Sequence, residues 1–269
     1  VYLHGGPGGT IDQQFANVEP LADSHVWIGF DQRGSGLSTV PDSLSITTLR
    51  HVAHLEELRR HFGIRQMTLF GHSWGAVLAA LYASTHRDAV KRLILNGPAP
   101  PANALWAQRG AAFQARTTER CRTRLGAVAD STSMSRCRAR TRREVHVYYA
   151  NTLNTRRNRG DLSIEAGTDP RYSLVAQRNT VATLGECDLR RLLPRIRVPA
   201  LVVEGALTPV PLDEVRLWAM KLADARLILI GRTGHAYRYA ENADEFFPAI
   251  RAFLRGGWPA GAVVVQRQR

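Results

Sequence analysis

The sequence predicts an α/β chain: a mostly parallel sheet with helices on both faces, interrupted by a helical insertion. Three observations carry that expectation. Short apolar runs alternate with segments of helical periodicity at both ends of the chain; glycine-rich loops stand where apolar runs end; and a polar, arginine-rich block from Pro98 breaks the rhythm until Pro199. Strands that alternate with helices form parallel sheets covered on both faces, and such sheets bind ligands at their carboxyl ends. The expected boundaries are a core of residues 1–98 and 194–255, a cap of 99–193, and a tail of 256–269 to which no element is assigned.

Val1 to Leu3 reads as a strand entering the turn His4-Gly5-Gly6-Pro7-Gly8-Gly9, and Val26 to Phe30 as a second strand ending in Asp31-Gln32-Arg33-Gly34-Ser35-Gly36. Val52, Leu55, Leu58 and Phe62 recur at helical spacing, with Gly63 as the stop. Met67 to Phe70 is a buried strand that leads through Gly71-His72-Ser73-Trp74-Gly75 into an Ala/Leu-rich helix, and Arg92 to Leu95 is the next strand. In the insertion, helices are expected around Ala104 to Thr118 and Glu144 to Leu153. The rhythm resumes with a strand at Pro199 to Glu204, a helix from Leu212 to Leu222, a strand at Arg226 to Ile230 and a helix through Phe246 to Leu254.

Composition sets the class. Among 269 residues, 44% are hydrophobic and 22% charged, ordinary for a globular chain, and no apolar run approaches the ~18 residues of a membrane span. The net charge is +13, and the block from Ala99 to Leu193 carries most of it, with 17 arginines against 8 carboxylates. Lys91 and Lys221 are the only lysines, a coding bias that explains the arginines as readily as function does. No helix-turn-helix, zinc-finger or RNA-binding motif accompanies the charge, so nucleic acid is not an expected partner. Cys121, Cys137 and Cys187 are odd in number and form no C-x-x-C pair; they read as free thiols. The sequence opens at Val1 inside a strand, so upstream residues, and any signal peptide with them, are expected to lie outside it. The expected location is cytoplasmic.

Gly71-x-Ser73-x-Gly75 lies between an apolar strand and a long helix, the context in which a sharp turn exposes a nucleophilic serine. Glycines flank it because strand and helix leave no room for side chains. Acyl transfer needs two donors for the oxyanion. One is expected from the residue after the nucleophile, Trp74, and the other from the first glycine-rich loop, at Gly6. The base is expected at His235, after the strand Arg226 to Ile230, in the chain order serine, acid, histidine. His51, His54 and His61 on a surface helix, His86 and His146 read as solvated or structural, and His4 and His72 as shaping the loops.

The segments His4-Gly5-Gly6-Pro7-Gly8, Asp31-Gln32-Arg33-Gly34-Ser35-Gly36-Leu37-Ser38, Gly71-His72-Ser73-Trp74-Gly75 and Gly234-His235 together resemble the proline iminopeptidase branch of the α/β-hydrolases. The resemblance covers roughly Val1 to Pro100 and Leu193 to Leu254, and the insertion matches only as a helical cap in the right place. It implies the α/β-hydrolase fold. It also implies two strands before the H-G-G-P-G loop that are missing from this sequence, and a polar brace for the oxyanion loop at Asp31 and Arg33.

One position departs from the family. Its acid stands three residues after the glycine that ends the penultimate strand, where this sequence has Thr208. The alternative place after Arg92 to Leu95 offers Asn96-Gly97-Pro98 and no carboxylate. Glu204, Asp213 and Glu214 remain. Asp213 and Glu214 complement a helix N-terminus, whereas Glu204 closes a strand and is the preferred acid.

The expected function is a serine hydrolase that cleaves an ester, lactone or amide through an acyl-enzyme, with carboxylic esters favoured because a basic cap suits a substrate ammonium poorly. The alternatives are a proline iminopeptidase-type aminopeptidase and a non-catalytic binding protein that keeps the fold. No metal or organic cofactor is expected. The partners expected are small-molecule esters, lactones or short peptides, without membrane insertion.

Overall fold

Tyr2–Leu3 (β1), Met67–His72 (β2), Val90–Asn96 (β3), Ala200–Gly205 (β4) and Ala225–Ile230 (β5) pair in the order β1-β2-β3-β4-β5, every pair parallel. These elements come from a computed structural model. It describes residues 1–15, 18–38, 40, 42–102, 104–105, 108, 115, 118–119, 121–126, 130–138, 173–185, 187–206, 208, 210–231, 233–235 and 243–266. The helices with complete bounds among them are Asp12–Phe15 (α1), Thr48–His61 (α2), Trp74–Thr85 (α3), Leu174–Leu184 (α4), Leu212–Lys221 (α5) and Ala243–Leu254 (α6).

The apolar runs within the strands are explained by burial on both faces. On one face Leu95 and Val202 pack in a core with Leu55 of α2, Leu78 of α3 and Trp218 of α5. On the other, Phe70, Ile94 and Val203 pack with Phe246, Ile250 and Phe253 of α6. The alternation of side chains along each strand sends neighbours to opposite cores, which is why β4 is buried at every position. Helix α2 begins with Thr47 accepting a hydrogen bond from Arg50 N. It ends in Arg59, Arg60 and His61, which suit the negative end of its dipole, before Gly63 reverses the chain at φ 61°.

Three expectations change. Val26 to Phe30 is no strand: among the described residues it meets β1 through Tyr2 N donating to Ile28 O at 2.8 Å and a single bridge from Tyr2 to Gly29. With β1 only two residues long there is no ladder to extend, and Val26 stands 91% exposed. Cys121 and Cys137 are not free thiols but a disulfide. They sit in helical pieces, residues 121–125 and 131–138, on either side of Gly126 (φ 76°), with Cα atoms 5.8 Å apart, within bonding range. A bridge between helical pieces leaves no spacing motif; Cys187 stays free. The tail joins the fold, since Val263 exchanges hydrogen bonds with Leu227 of β5 at 2.8 and 2.9 Å, and Trp258 packs on Phe253. Of the two helices expected in the insertion, Glu144 to Leu153 lies wholly, and Ala104 to Thr118 largely, outside the described residues. Among the described residues no helix is long and apolar enough to cross a membrane.

Candidate active site

The carboxyl ends of β2, β3 and β4, and the loop after β5, meet at one edge of the sheet and carry Ser73, Asn96-Gly97, Glu204 and His235. Ser73 sits at the β2–α3 turn with φ 52° and ψ −113°, the sole non-glycine at positive φ among the described residues. Such a conformation costs of order 1–3 kcal/mol and persists where the surroundings enforce it. They do so here: Ser73 N donates to Asn96 O at 2.9 Å, and Ser73 O accepts from Ala76 N at 3.1 Å and Ala99 N at 3.2 Å. The flanking glycines are required sterically, because a Cβ at Gly71 would collide with the Gly75 backbone and one at Gly75 with the Leu3 carbonyl.

The loop after β1 lies beside this turn. Gly6 takes φ 130°, and its Cβ position would be 2.7 Å from Gly9 N. Among the described residues neither Gly6 N nor Trp74 N donates a hydrogen bond, so both amides are available to an oxyanion. The loop is braced mainly by a residue that the sequence reading passed over. Gln32 is buried; its backbone N–H donates to His4 Nε2 at 2.9 Å, its Nε2 donates to His4 O at 2.8 Å, and its Oε1 accepts from the Trp74 indole at 2.9 Å. It thereby ties the loop after β1 to the start of α3. Burial holds the pKa of His4 below its ordinary value, consistent with a neutral ring whose Nε2 accepts and whose Nδ1 donates to Gly5 O at 2.8 Å. Asp31 accepts from Ile11 N and Leu37 N at 2.7 and 2.8 Å, and Arg33 reaches Ser45 and His54. Asp31 thus joins the end of the loop after β1 to its own loop, and Arg33 joins that loop to Ser45 and to His54 of α2. Gln14 adds a further tie, accepting from Gly5 N at 2.8 Å and lying 3.1 Å from His72 Nδ1.

Of the three candidate acids, Glu204 lies beside His235. Its Oε2 is 3.5 Å from His235 Nδ1, and its Oε1 accepts from Gly205 N at 2.9 Å. The carboxylate is fully buried, and neither Glu204 Oε2 nor His235 Nδ1 has a hydrogen-bond partner among the described residues. Asp213 is 92% exposed and pairs with Arg216 at 3.0 Å, while the hydroxyl of Thr208 caps Val210 N at 3.2 Å. The His235 ring rests on Gly97, where a Cβ would come within 2.9 Å of Nδ1 and Cε1 and where φ is +54°. His72 flanks it, with ring centroids 5.4 Å apart and His72 Nε2 3.3 Å from His235 O. Among the described residues no hydrogen bond closes between His235 and the Ser73 hydroxyl.

A strained serine between a central parallel strand and the next helix, with a histidine supplied from beyond β5, is the decisive arrangement. The sequence profile described as alpha/beta hydrolase fold matches residues 1–237. The chain belongs to the α/β-hydrolase fold family. This α/β-hydrolase is 42% identical over 98 residues to a proline iminopeptidase of Xanthomonas citri, a match that covers 36% of this chain and 31% of that protein. The chain thus spans about a third of the length of that relative. Among solved structures it resembles a proline iminopeptidase of Mycobacterium smegmatis, with TM-score 0.74, 23% identity and coverage of 94% of this chain and 88% of that one. It also resembles a thermophilic esterase from Thermogutta terrifontis, with TM-score 0.72, 24% identity and the same coverage. At these identities the structural likenesses speak for the fold. Among the described residues no group of His, Cys, Asp and Glu is placed to hold a metal ion.

Proposed function

We propose that this α/β-hydrolase is a serine hydrolase that cleaves a carboxylic ester, lactone or amide through an acyl-enzyme, with esters preferred. The observation that carries the reading is the strained Ser73 turn at the same sheet edge as His235 and the buried Glu204 beside it. Ser73 Oγ attacks the substrate carbonyl as His235 Nε2 takes its proton. Glu204 holds the opposite ring nitrogen and stabilises the imidazolium that forms. The oxyanion is met by the amides of Gly6 and Trp74, which cost no reorganisation because the loop and the helix start already hold them. Collapse expels the alcohol or amine with the proton from His235. Water, deprotonated by the same imidazole, then releases the acid and restores Ser73.

The 99–193 insertion is basic, a charge that favours neutral or anionic substrates over ammonium-bearing ones. Labelling with a fluorophosphonate, beside turnover of a short-chain arylester and a proline arylamide, tests the proposal. The native chain should label at Ser73 and prefer the ester, and Ser73→Ala should lose labelling and turnover by a factor on the scale of ~10⁶ while staying folded. Preference for the proline arylamide would make it an aminopeptidase like its sequence relatives. Labelling no greater than in a heat-denatured sample would make it a binding protein on a hydrolase frame.

A further inference from the structure

Helix α4 touches the oxyanion loop at one end and α2 at the other. At its start, Ser173 N donates to Gly8 O at 2.8 Å, and a Cβ at Gly8 would collide with the Ser173 carbonyl. Toward its end it interlocks with α2. Thr183 Oγ1 accepts from Thr48 N at 2.9 Å, satisfying one of the amides that a helix start leaves open. Thr48 Oγ1 donates to Thr180 O at 2.9 Å, and His51 Nε2 shares a hydrogen bond with Thr180 Oγ1 at 2.9 Å. Thr48, His51 and Thr180 are all buried. Two hydrogen bonds at Thr180 and one at Thr183 fix α4 against both sliding and rotation. A helix transmits that constraint over the ~10 Å between Thr180 and Ser173 with little give.

His51, expected on a surface helix, thus lies inside. Its ring is 6.3 Å from that of Trp74. The groups facing it are His4 from the oxyanion loop, Arg33 from the loop after residue 30, and His54 on its own helix, and each opposes a positive charge. Burial is the largest influence, and together these push His51 down to about 4.

We propose that His51 is a positioning residue for the oxyanion hole: as a neutral imidazole bonded to Thr180 it seats α4, and α4 holds Gly8 and with it the Gly6 amide. The catalytic consequence rests on the hydrolase reading above, whereas the seating is a property of the fold. Losing the Thr180 hydroxyl removes one buried hydrogen bond, which converts to about a threefold to tenfold effect.

The test combines hydrogen–deuterium exchange of the peptide spanning residues 4–10, corrected for intrinsic rates, with arylester kinetics on the full chain. Thr180→Val should raise exchange in that loop and lower kcat by about threefold to tenfold with KM nearly constant, and Thr180→Ser should restore both. Acidifying the wild type from pH 7 to below pH 4 should loosen the same loop, and His51→Gln, which keeps a neutral hydrogen-bonding group, should weaken that response, leaving the part that comes from His4 and Asp31. Unchanged loop exchange in Thr180→Val, or a change in KM alone, overturns the proposal. If Thr180→Val does not fold, an acid response identical in wild type and His51→Gln overturns it. Loop exchange that behaves as stated in a chain that turns over no ester would refute the hydrolase reading and leave the seating intact.

Discussion

Replacing Glu204 by Gln keeps the side chain's shape and removes its charge, so it isolates what the carboxylate does for His235. The carboxylate is fully buried and 3.5 Å from Nδ1. At an effective dielectric constant near 20, opposite unit charges at that distance attract by about 5 kcal/mol. That attraction exists only while His235 carries the proton in transit, so it lowers the barrier rather than the ground state. Discounted for the stretched contact, kcat for an arylester should fall by about 10²- to 10⁴-fold, the upper end matching the loss when a triad carboxylate becomes an amide. Asp213→Asn is the control. Its exposed carboxylate pairs with Arg216 on the same helix, so kcat should stay within about twofold, as for a surface charge that contributes little. Steady-state kinetics with saturating ester, at a pH above the acid limb, gives both numbers. Glu204→Gln retaining more than a third of wild-type kcat would refute the argument, and a collapse in Glu214→Gln instead would move the acid to α5.

Gly97→Ala should cut kcat by roughly 10²-fold, because the added Cβ displaces the His235 ring on which proton transfer depends. It should also lower stability by about 1–2 kcal/mol through the left-handed backbone; normal kcat would mean that the ring position is not critical. Trp74→Phe removes the indole N–H that Gln32 Oε1 accepts while leaving the Trp74 backbone amide in place. Urea unfolding should therefore show a loss of about 1–3 kcal/mol with kcat reduced far less than in Glu204→Gln. His51 gives a pH dependence of stability. Its folded value of about 4 lies below the ordinary 6.5, so between these the unfolded chain binds the extra proton. The contribution is complete above pH 6.5 and is lost as pH falls toward 4, by at most about 3 kcal/mol. In His51→Gln, denaturant midpoints measured across that window should fall less steeply.

What the sequence determined by itself is local. Apolar runs such as Ile94–Leu95 and Val202–Val203 are strands because their neighbours leave no other period. Gly71, Ser73 and Gly75 form a turn because only that spacing lets a strand run into a helix without a clash, and the stop at Gly63 needs nothing beyond its own left-handed backbone. The tertiary structure decided what depends on partners distant in the chain. The strand-end position favoured Glu204 over Asp213 and Glu214 without placing it; that its carboxylate lies beside His235 follows from β4 and β5 being neighbours, with the carboxylate sealed from water. Gln32 reads as one more polar residue in a loop until His4 and Trp74 close on it, and His51 reads as solvent-facing until α4 covers it. Val26 to Phe30 has a strand's composition but too short a partner, and Cys121 and Cys137 acquire meaning only when two helical pieces bring them together. Periodicity records a residue's immediate neighbours. Burial, pairing and charge compensation depend on residues that the chain brings together only once it has folded.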